Sequence, residues 1–330
     1  MSLTDLSSAS VFAAAKRLAG HAVVTPLLTN AKLDQRVGAS VVIKPETLQI
    51  GGAFKFRGAY NRLSQLTEKE RAHGVVAWSS GNHAQGVAAA AQRLGMHAAI
   101  VMPSDAPRIK VENTRGFGAE IIHYDRHTQD REQLGRDIAR ERNAVVVPPY
   151  DDPHIIAGQG TTALEMATQV RALLNLDLDI LMTPCGGGGL IAGCSLALSA
   201  MSPKTQIYSV EPAGFDDTAR SLRSGQRESN DPNARTICDS LMPARPGEIT
   251  FSINRERLAG GLAVTDDEVL DAMAFAWREL KLVVEPGGAV ALAALLRGKL
   301  DYRDKTVGIV LSGGNVDAEL YRQVLARSPL

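Results

Sequence analysis

A lysine with unusual neighbours lies near the start of the chain, in Gly51-Gly52-Ala53-Phe54-Lys55-Phe56-Arg57-Gly58. An aromatic ring and a guanidinium beside Lys55 solvate its ammonium poorly, so the nucleophilic free amine becomes accessible near neutral pH. A lysine amine of this kind can form an imine with a carbonyl compound. Taken alone, the segment could equally be a loop and helix start in which Lys55 is an ordinary solvated cation.

Two distant stretches carry backbone and side-chain groups suited to anions. Ser79-Ser80-Gly81-Asn82-His83 lies between an apolar run, 74–78, and an alanine-rich helical pattern, 84–94. Gly186-Gly187-Gly188-Gly189 lies between a predicted strand and a helix of small residues. A strand that enters a helix through such a loop presents free N–H groups, and four glycines let the backbone wrap a phosphate. A single glycine loop is more often only a tight turn.

In this order, the lysine, the asparagine-bearing loop and the tetraglycine loop resemble the fold-type II pyridoxal-phosphate enzymes, most closely the serine/threonine dehydratases and serine racemases. The resemblance runs from about Thr25 to Val316 and includes Val284-Glu285-Pro286. It implies a two-lobed α/β protein, similar to the tryptophan synthase β chain, with parallel sheets flanked by helices. The implied cofactor is pyridoxal 5'-phosphate.

The resemblance also implies a role for each site residue. Lys55 would bind the cofactor and move the Cα proton of a β-hydroxy amino acid, which loses water and then ammonia to give a keto acid. Ser80 would be the second acid–base group of a racemase, or would only donate to an anion. The implied cofactor contacts are Phe54 on the ring face, Asn82 at the ring hydroxyl, Gly186, Gly187, Gly188 and Gly189 at the phosphate, and Ser312 at the pyridine nitrogen. The implied substrate-binding residues are Ser79, Ser80, Asn82 and His83.

A metal site is implied by Val210-Glu211-Pro212-Ala213-Gly214-Phe215-Asp216-Asp217. It resembles a loop of the racemase-like branch in which Glu211, the Phe215 carbonyl and Asp217 would hold a divalent cation. Carboxylates with a carbonyl suit magnesium or calcium, and manganese is a further option. Without the resemblance, the segment is a strand end followed by acidic residues at a helix start.

Other functions use part of the same pattern. Gly187 to Ala192 fits G-x-G-x-x-A, and Glu211 follows about twenty residues later, as in a nicotinamide dehydrogenase. That function leaves Lys55 and Ser312 unexplained. A non-catalytic carrier of pyridoxal phosphate is a third option. Within the family, L-serine or L-threonine dehydration, 3-hydroxyaspartate dehydration and serine or aspartate racemisation all remain open. A second substrate carboxylate would need a cation, for which the candidates are Arg126, His127 and Arg131. All three could equally be solvated helix residues.

The composition indicates that the partners of this chain are small molecules or copies of itself. The 330 residues contain 36 Lys plus Arg and 36 Asp plus Glu, so no net charge favours nucleic acid or an anionic membrane. We expect an amino-acid substrate, no nucleic-acid or membrane partner, a cytoplasmic location, and a homodimer or homotetramer. The three cysteines lack metal-ligand spacing and are expected to be buried.

The elements that must position these residues alternate between strand and helix, which predicts parallel sheets covered by helices. Three prolines in 148–153 predict a crossing between lobes. We therefore expect a large cofactor-binding domain, 1–73 with 150–330, and a small mobile α/β domain, 74–149. Residues 224–254 have no clean period and are expected to be irregular.

Overall fold

The architecture is that of two parallel sheets flanked by helices, seen in a computed structural model that describes residues 6–79, 81–106, 108–125 and 127–327, without the Ile109 side chain. The described strands are β1 Ser40–Pro45, β2 Val75–Trp78, β3 Ala98–Pro103, β4 Glu120–Tyr124, β5 Val145–Val146, β6 Ile180–Pro184, β7 Gln206–Pro212, β8 Gly260–Val264 and β9 Thr306–Leu311. The described helices are α1 Ser8–Leu18, α2 Ala31–Val37, α3 Lys55–Leu63, α4 Glu68–His73, α5 Asn82–Arg93, α6 Arg108–Gly116, α7 Arg131–Arg142, α8 Pro153–Leu174, α9 Gly189–Met201, α10 Asp217–Ser224, α11 Glu248–Arg257, α12 Asp266–Phe275, α13 Pro286–Leu296 and α14 Ala318–Leu325. The α/β prediction is confirmed.

The larger sheet has the order β1-β9-β6-β7-β8, and every pair is parallel. Its central strands β6 and β9 are buried along their whole length, as expected when helices cover both faces. One face packs on α12 and α13 through residues such as Ile309 and Val290. The other face packs on α1, α8 and α9. The carboxyl ends of β6 and β9 therefore open onto the same edge, where the glycine loop and Ser312 follow.

The smaller sheet has the order β4-β3-β2-β5 and is also parallel. The apolar residues of α5 cover one face, and α7 covers the other through Ile138 and Ala139. All four strands lie within 74–149, the range expected for the small domain. The segment between β5 and α8 contains Pro148 and Pro149, and Pro153 is the first residue of α8. Asp152 caps α8 by accepting from the N–H groups of His154 and Ile155.

Part of the element prediction was wrong. The region 224–254 is not irregular throughout, since α11 begins inside it, and β8 was not predicted. The helix expected over 266–281 is α-helical only to Phe275 and continues as a π-helical turn, Ala276–Leu280. The short helices α2 and α4 were also missed.

Candidate active site

A cavity of about 630 Å³ lies between the two sheets. Its wall brings together predicted residues from segments that are far apart in the sequence. They are Phe54, Lys55, Ser79, Asn82, His83, Gly186, Gly187, Gly188, Gly189 and Ser312. Ser80 lies outside the described residues, so its predicted catalytic role stays a prediction.

Lys55 is the first residue of α3, and its Nζ donates a hydrogen bond to the Pro149 carbonyl (2.7 Å). Removal of the ammonium from water lowers the pKa of Lys55 to about 8, while the Glu285 carboxylate opposes this shift. The Phe54 ring centroid lies 5.2 Å from Nζ. A substantial fraction of Lys55 is therefore a free amine at mildly alkaline pH, as nucleophilic or basic chemistry requires.

Asn82, at the start of α5, is fixed by two partners. Its Nδ2 donates to Glu285 Oε1 (2.5 Å), and its Oδ1 accepts from Asn315 Nδ2 (2.8 Å). A primary amide has two N–H donors, so one remains for a ligand in the cavity. In the sequence, Glu285 is only part of the motif Val284-Glu285-Pro286, which does not predict its contact with Asn82. Burial and the neighbouring Asp239 together raise the pKa of Glu285 to about 7.

The tetraglycine loop leads from β6 into α9. Gly188 is the N-cap residue with a positive φ of 91°, and no side chain among the described residues caps this helix start. The first N–H groups of any α-helix lack an acceptor within the helix. A Cβ at Gly187 would overlap the Tyr150 ring. The loop therefore presents free N–H donors in a conformation that requires glycine at positions 187 and 188, and it fits a phosphate.

Ser312 follows β9 and is 4% exposed on the cavity wall, where its carbonyl accepts from the Phe54 N–H (3.1 Å). This bond ties the β9 end to the segment that carries Lys55. A serine hydroxyl can bond a pyridine nitrogen without supplying a negative charge. Together, the lysine, the glycine loop and Ser312 fit pyridoxal phosphate, which carries an aldehyde, a phosphate and a pyridine ring.

His83 is buried, and its Nε2 lies 2.9 Å from the Val147 carbonyl. A carbonyl only accepts, so Nε2 carries the proton and Nδ1 is an acceptor without a partner among the described residues. Burial and the nearby Lys55 together lower the pKa of His83 to about 3. His83 is therefore neutral at physiological pH and cannot serve as a proton donor from an imidazolium.

Glu211 and Asp217 lie together but do not line the cavity. Both Glu211 oxygens accept backbone N–H groups of α10, from Thr218 (2.9 Å) and Ala219 (2.8 Å). Asp217 accepts from Asn230 through Oδ1, and its buried Oδ2 has no partner among the described residues. Burial and the neighbouring Asp217 raise the pKa of Glu211, and burial raises that of Asp217 to about 6. Since the Glu211 carboxylate is buried and occupied, it is not placed to bind a ribose in the cavity.

This acidic pair fits a divalent cation. Both carboxyls are buried, Asp217 raises the pKa of Glu211, and the Asp217 oxygen that has no partner among the described residues remains to coordinate a cation. The described residues contain no cluster of three or more His, Cys, Asp or Glu side chains placed for a metal, so the third ligand would have to be a carbonyl such as that of Phe215.

Cationic side chains line the cavity wall on the α7 side. Arg131 and Arg136 contribute from α7, and Lys110 contributes from α6. Lys110 is paired with Asp239 and Arg136 with Glu132, whereas Arg131 has no ion-pair partner among the described residues. Of the other two candidates for a second carboxylate, His127 does not line the cavity, and Arg126 lies outside the described residues.

Comparisons with known proteins agree with this geometry. The family model for pyridoxal-phosphate dependent enzymes matches residues 18–313. An L-threo-3-hydroxyaspartate ammonia-lyase of a Pseudomonas species is 46% identical over 96% of this chain and 97% of its own length. The enzyme of the same name from Saccharomyces cerevisiae is 44% identical, over 96% of this chain and 95% of its own. The structure of maize serine racemase superposes with a TM-score of 0.91 at 37% identity and 96% coverage of both chains. Among the described residues, no helix has the length and apolar character needed to cross a bilayer.

Proposed function

Because this chain belongs to the family of pyridoxal-phosphate dependent enzymes, we propose that it is an ammonia-lyase that converts 3-hydroxyaspartate to a keto diacid and ammonia. The observation that carries the choice of substrate is Arg131, a cation that lines the cavity holding Lys55 and has no ion-pair partner among the described residues. A guanidinium binds a carboxylate through two parallel hydrogen bonds. L-Serine and L-threonine have no second carboxylate for Arg131. The names of two relatives support the same substrate.

The cofactor would be held by residues already described. Lys55 would bind it through Nζ, Phe54 would pack on its ring, and Asn82 would donate to its ring hydroxyl. The glycine loop would bind its phosphate, and Ser312 its pyridine nitrogen. When bound, pyridoxal phosphate supplies a carbonyl carbon for the substrate amine and withdraws electrons from the substrate Cα.

Side chains and backbone groups of the protein then transfer the protons and orient the substrate. The Lys55 amine takes the proton from the substrate Cα, which its pKa of about 8 permits. The β-hydroxyl leaves as water, and hydrolysis returns that water and releases ammonia, so one hydroxyaspartate gives one oxaloacetate and one ammonia. The neutral Ser312 does not keep the pyridine nitrogen protonated as a carboxylate would, which favours elimination over transamination. The Ser79 hydroxyl and the first backbone N–H groups of α5, at Asn82 and His83, are suited to the α-carboxylate.

We also propose a divalent cation, magnesium, calcium or manganese, at Glu211, the Phe215 carbonyl and Asp217. The unpartnered Asp217 Oδ2 and the raised pKa of both carboxyls support it. The small domain, 74–149, would move relative to the large domain. Cytoplasmic location and assembly as a homodimer or homotetramer remain expectations, which cell fractionation and light scattering would test.

The deciding experiment measures keto-acid and ammonia release from L-serine, D-serine, L-threonine and the 3-hydroxyaspartate diastereomers, each with magnesium and after chelation. Turnover confined to a hydroxyaspartate, led by the L-threo isomer, is the expected result. Equal turnover of serine and threonine would replace the proposal with a general hydroxy-amino-acid dehydratase. The alternative that the maize structure favours is racemisation, and appearance of the opposite enantiomer faster than keto acid would establish it.

A further inference from the structure

Asn230 connects two sites that do not touch each other. Its side-chain Nδ2 donates to Asp217 Oδ1 (2.6 Å) and to the Pro243 carbonyl (2.9 Å). Its backbone N–H donates to the Ala244 carbonyl (2.9 Å). Pro243 and Ala244 line the active-site cavity, whereas Asp217 belongs to the acidic pair outside it. Asn230 therefore bridges the acidic pair and the cavity wall.

The orientation of the Asn230 amide is fixed by its partners. The Asp217 carboxylate and the Pro243 carbonyl accept only, so both must face Nδ2. Arg220 donates only, and its Nη2 lies 2.5 Å from Asn230 Oδ1. Both donors and the acceptor of the amide are thus in use. A flip of the amide would place oxygen against oxygen at two contacts and donor against donor at the third, so the side chain has one arrangement.

The segment Pro243 to Gly247 of the cavity wall is bound at its other end to the glycine loop. The Gly247 N–H donates to the Gly187 carbonyl (3.3 Å), and Thr250 Oγ1 donates to the same carbonyl (2.6 Å). The segment from Pro243 to Gly247 is therefore held by Asn230 at one end and by the glycine loop at the other.

We propose that Asn230 is a positioning residue that couples cation binding at Glu211 and Asp217 to ligand affinity in the cavity. A cation that draws Asp217 Oδ2 into its coordination shell reorients the carboxylate, and Asn230 carries that movement to Pro243 and Ala244. The proposal rests on the cation site proposed above. Coupling between two sites is reciprocal, so a cavity ligand must change the cation affinity by the same factor.

The test uses the cofactor-loaded protein and no turnover. Calcium is titrated by calorimetry into chelator-treated protein, without and with saturating succinate, a dicarboxylate that has no amine to react. In the wild-type protein, succinate is expected to tighten calcium binding about fivefold or more. In Asn230→Ala, calcium still binds, but succinate changes its affinity less than about twofold. Asn233→Ala is the matched control, because Asn233 is an exposed asparagine of the same segment.

The outcomes separate this inference from the proposals before it. Three results would overturn it. Succinate could tighten calcium binding in Asn230→Ala as much as in the wild type. The effect of succinate could be lost equally in Asn233→Ala, or calcium could bind the wild type with an affinity that succinate does not change. If the wild-type protein does not bind calcium, the proposed cation site is overturned as well. The proposed activity is tested independently by the substrate panel. Should Asn230→Ala fail to retain the cofactor, Asn230→Ser carries the test. One hydroxyl can donate to only one of the two acceptors, so a reduced factor is expected there and the full wild-type factor overturns the inference.

Discussion

Asn82 Nδ2 donates to Glu285 Oε1 across 203 positions of sequence, inside the cavity that also contains Lys55. The same carboxylate favours the ammonium form of Lys55 and so opposes the effect of burial on its pKa. Glu285 therefore acts on both residues. It fixes which atoms of the Asn82 amide face a ligand, and it sets how readily Lys55 loses its proton.

Substitution Glu285→Gln is expected to shift cofactor loading to lower pH. Loading needs the free amine of Lys55, whose pKa is about 8, so its rate rises as the pH increases through that value. Removal of the negative charge destabilises the ammonium and lowers the pKa of Lys55 further. Loading of the cofactor-free protein, followed by absorbance, should be roughly twofold faster at pH 7. Glu256→Gln, on the exposed side of α11, is the control, and an unchanged profile in Glu285→Gln would contradict the assignment.

Three parts of the site could be predicted from local sequence, whereas Phe54 and Ser312 were predicted only through the resemblance to a family. Lys55, Asn82 and the glycine loop each lie where a loop or strand enters a helix, and the backbone pattern of a few residues is enough to indicate an anion site. The link between Asn82 and Glu285 could not be foreseen, because it depends on how two distant segments meet. The same is true of Asn230, which lies in a segment without periodicity.

The missed elements have a tertiary cause. The first N–H groups of α11 are capped by Asp151, whose carboxylate accepts from Glu248, Ile249 and Thr250. That cap is about a hundred residues away and is invisible in the local sequence. Strand β8 begins with Gly260-Gly261, a poor strand signal, but a Cβ at Gly261 would lie 2.6 Å from the Ala219 Cβ. Packing of β8 against α10 thus requires glycine at position 261, and this glycine makes the strand difficult to predict from the sequence.

Substitution Arg131→Gln is expected to remove discrimination for a second carboxylate. Loss of a bidentate pair in the cavity should lower kcat/KM for L-threo-3-hydroxyaspartate roughly 100-fold while leaving any activity on L-serine within about threefold. Steady-state kinetics on both substrates measure the ratio. Arg140→Gln on the same helix is the control, since Arg140 is exposed and pairs only with Asp137 among the described residues. Equal losses on both substrates would assign Arg131 to folding rather than to specificity.

Substitution Asp217→Asn is expected to have opposite effects on stability with and without a cation. In chelator, it removes one of two buried carboxylates that repel each other, so the thermal midpoint should rise by a few degrees, corresponding to about 1 kcal/mol. With calcium, the wild type gains stability through binding and the variant does not. Differential scanning calorimetry in both conditions measures this. A variant that calcium still stabilises as much as the wild type would place the cation elsewhere.

Substitution Glu46→Gln is expected to lower the free energy of unfolding by weakening a buried ion-pair network next to Lys55. Arg57, two residues after Lys55, is fully buried and binds both oxygens of Glu46 (2.7 and 2.8 Å) and both oxygens of Glu165 (2.6 and 2.8 Å). Removal of one charged partner from such a network costs about 3–5 kcal/mol of unfolding free energy. Urea unfolding followed by circular dichroism at pH 7 measures the loss. Glu319→Gln, which breaks only the exposed pair with Arg322, should cost less than about 1 kcal/mol.

The pH dependence of that loss distinguishes an ion pair from a packing defect. Burial alone would raise the pKa of Glu46, but the hydrogen-bonded Arg57 outweighs it and holds the pKa below its usual value. A carboxyl with a lowered pKa in the folded state contributes stability above its unfolded pKa and loses that contribution as the pH falls through the folded value. The difference between wild type and Glu46→Gln should therefore be largest at neutral pH and shrink in acid. A difference that stays constant down to the acid limit would mean that the lost packing, rather than the lost charge, destabilises the variant.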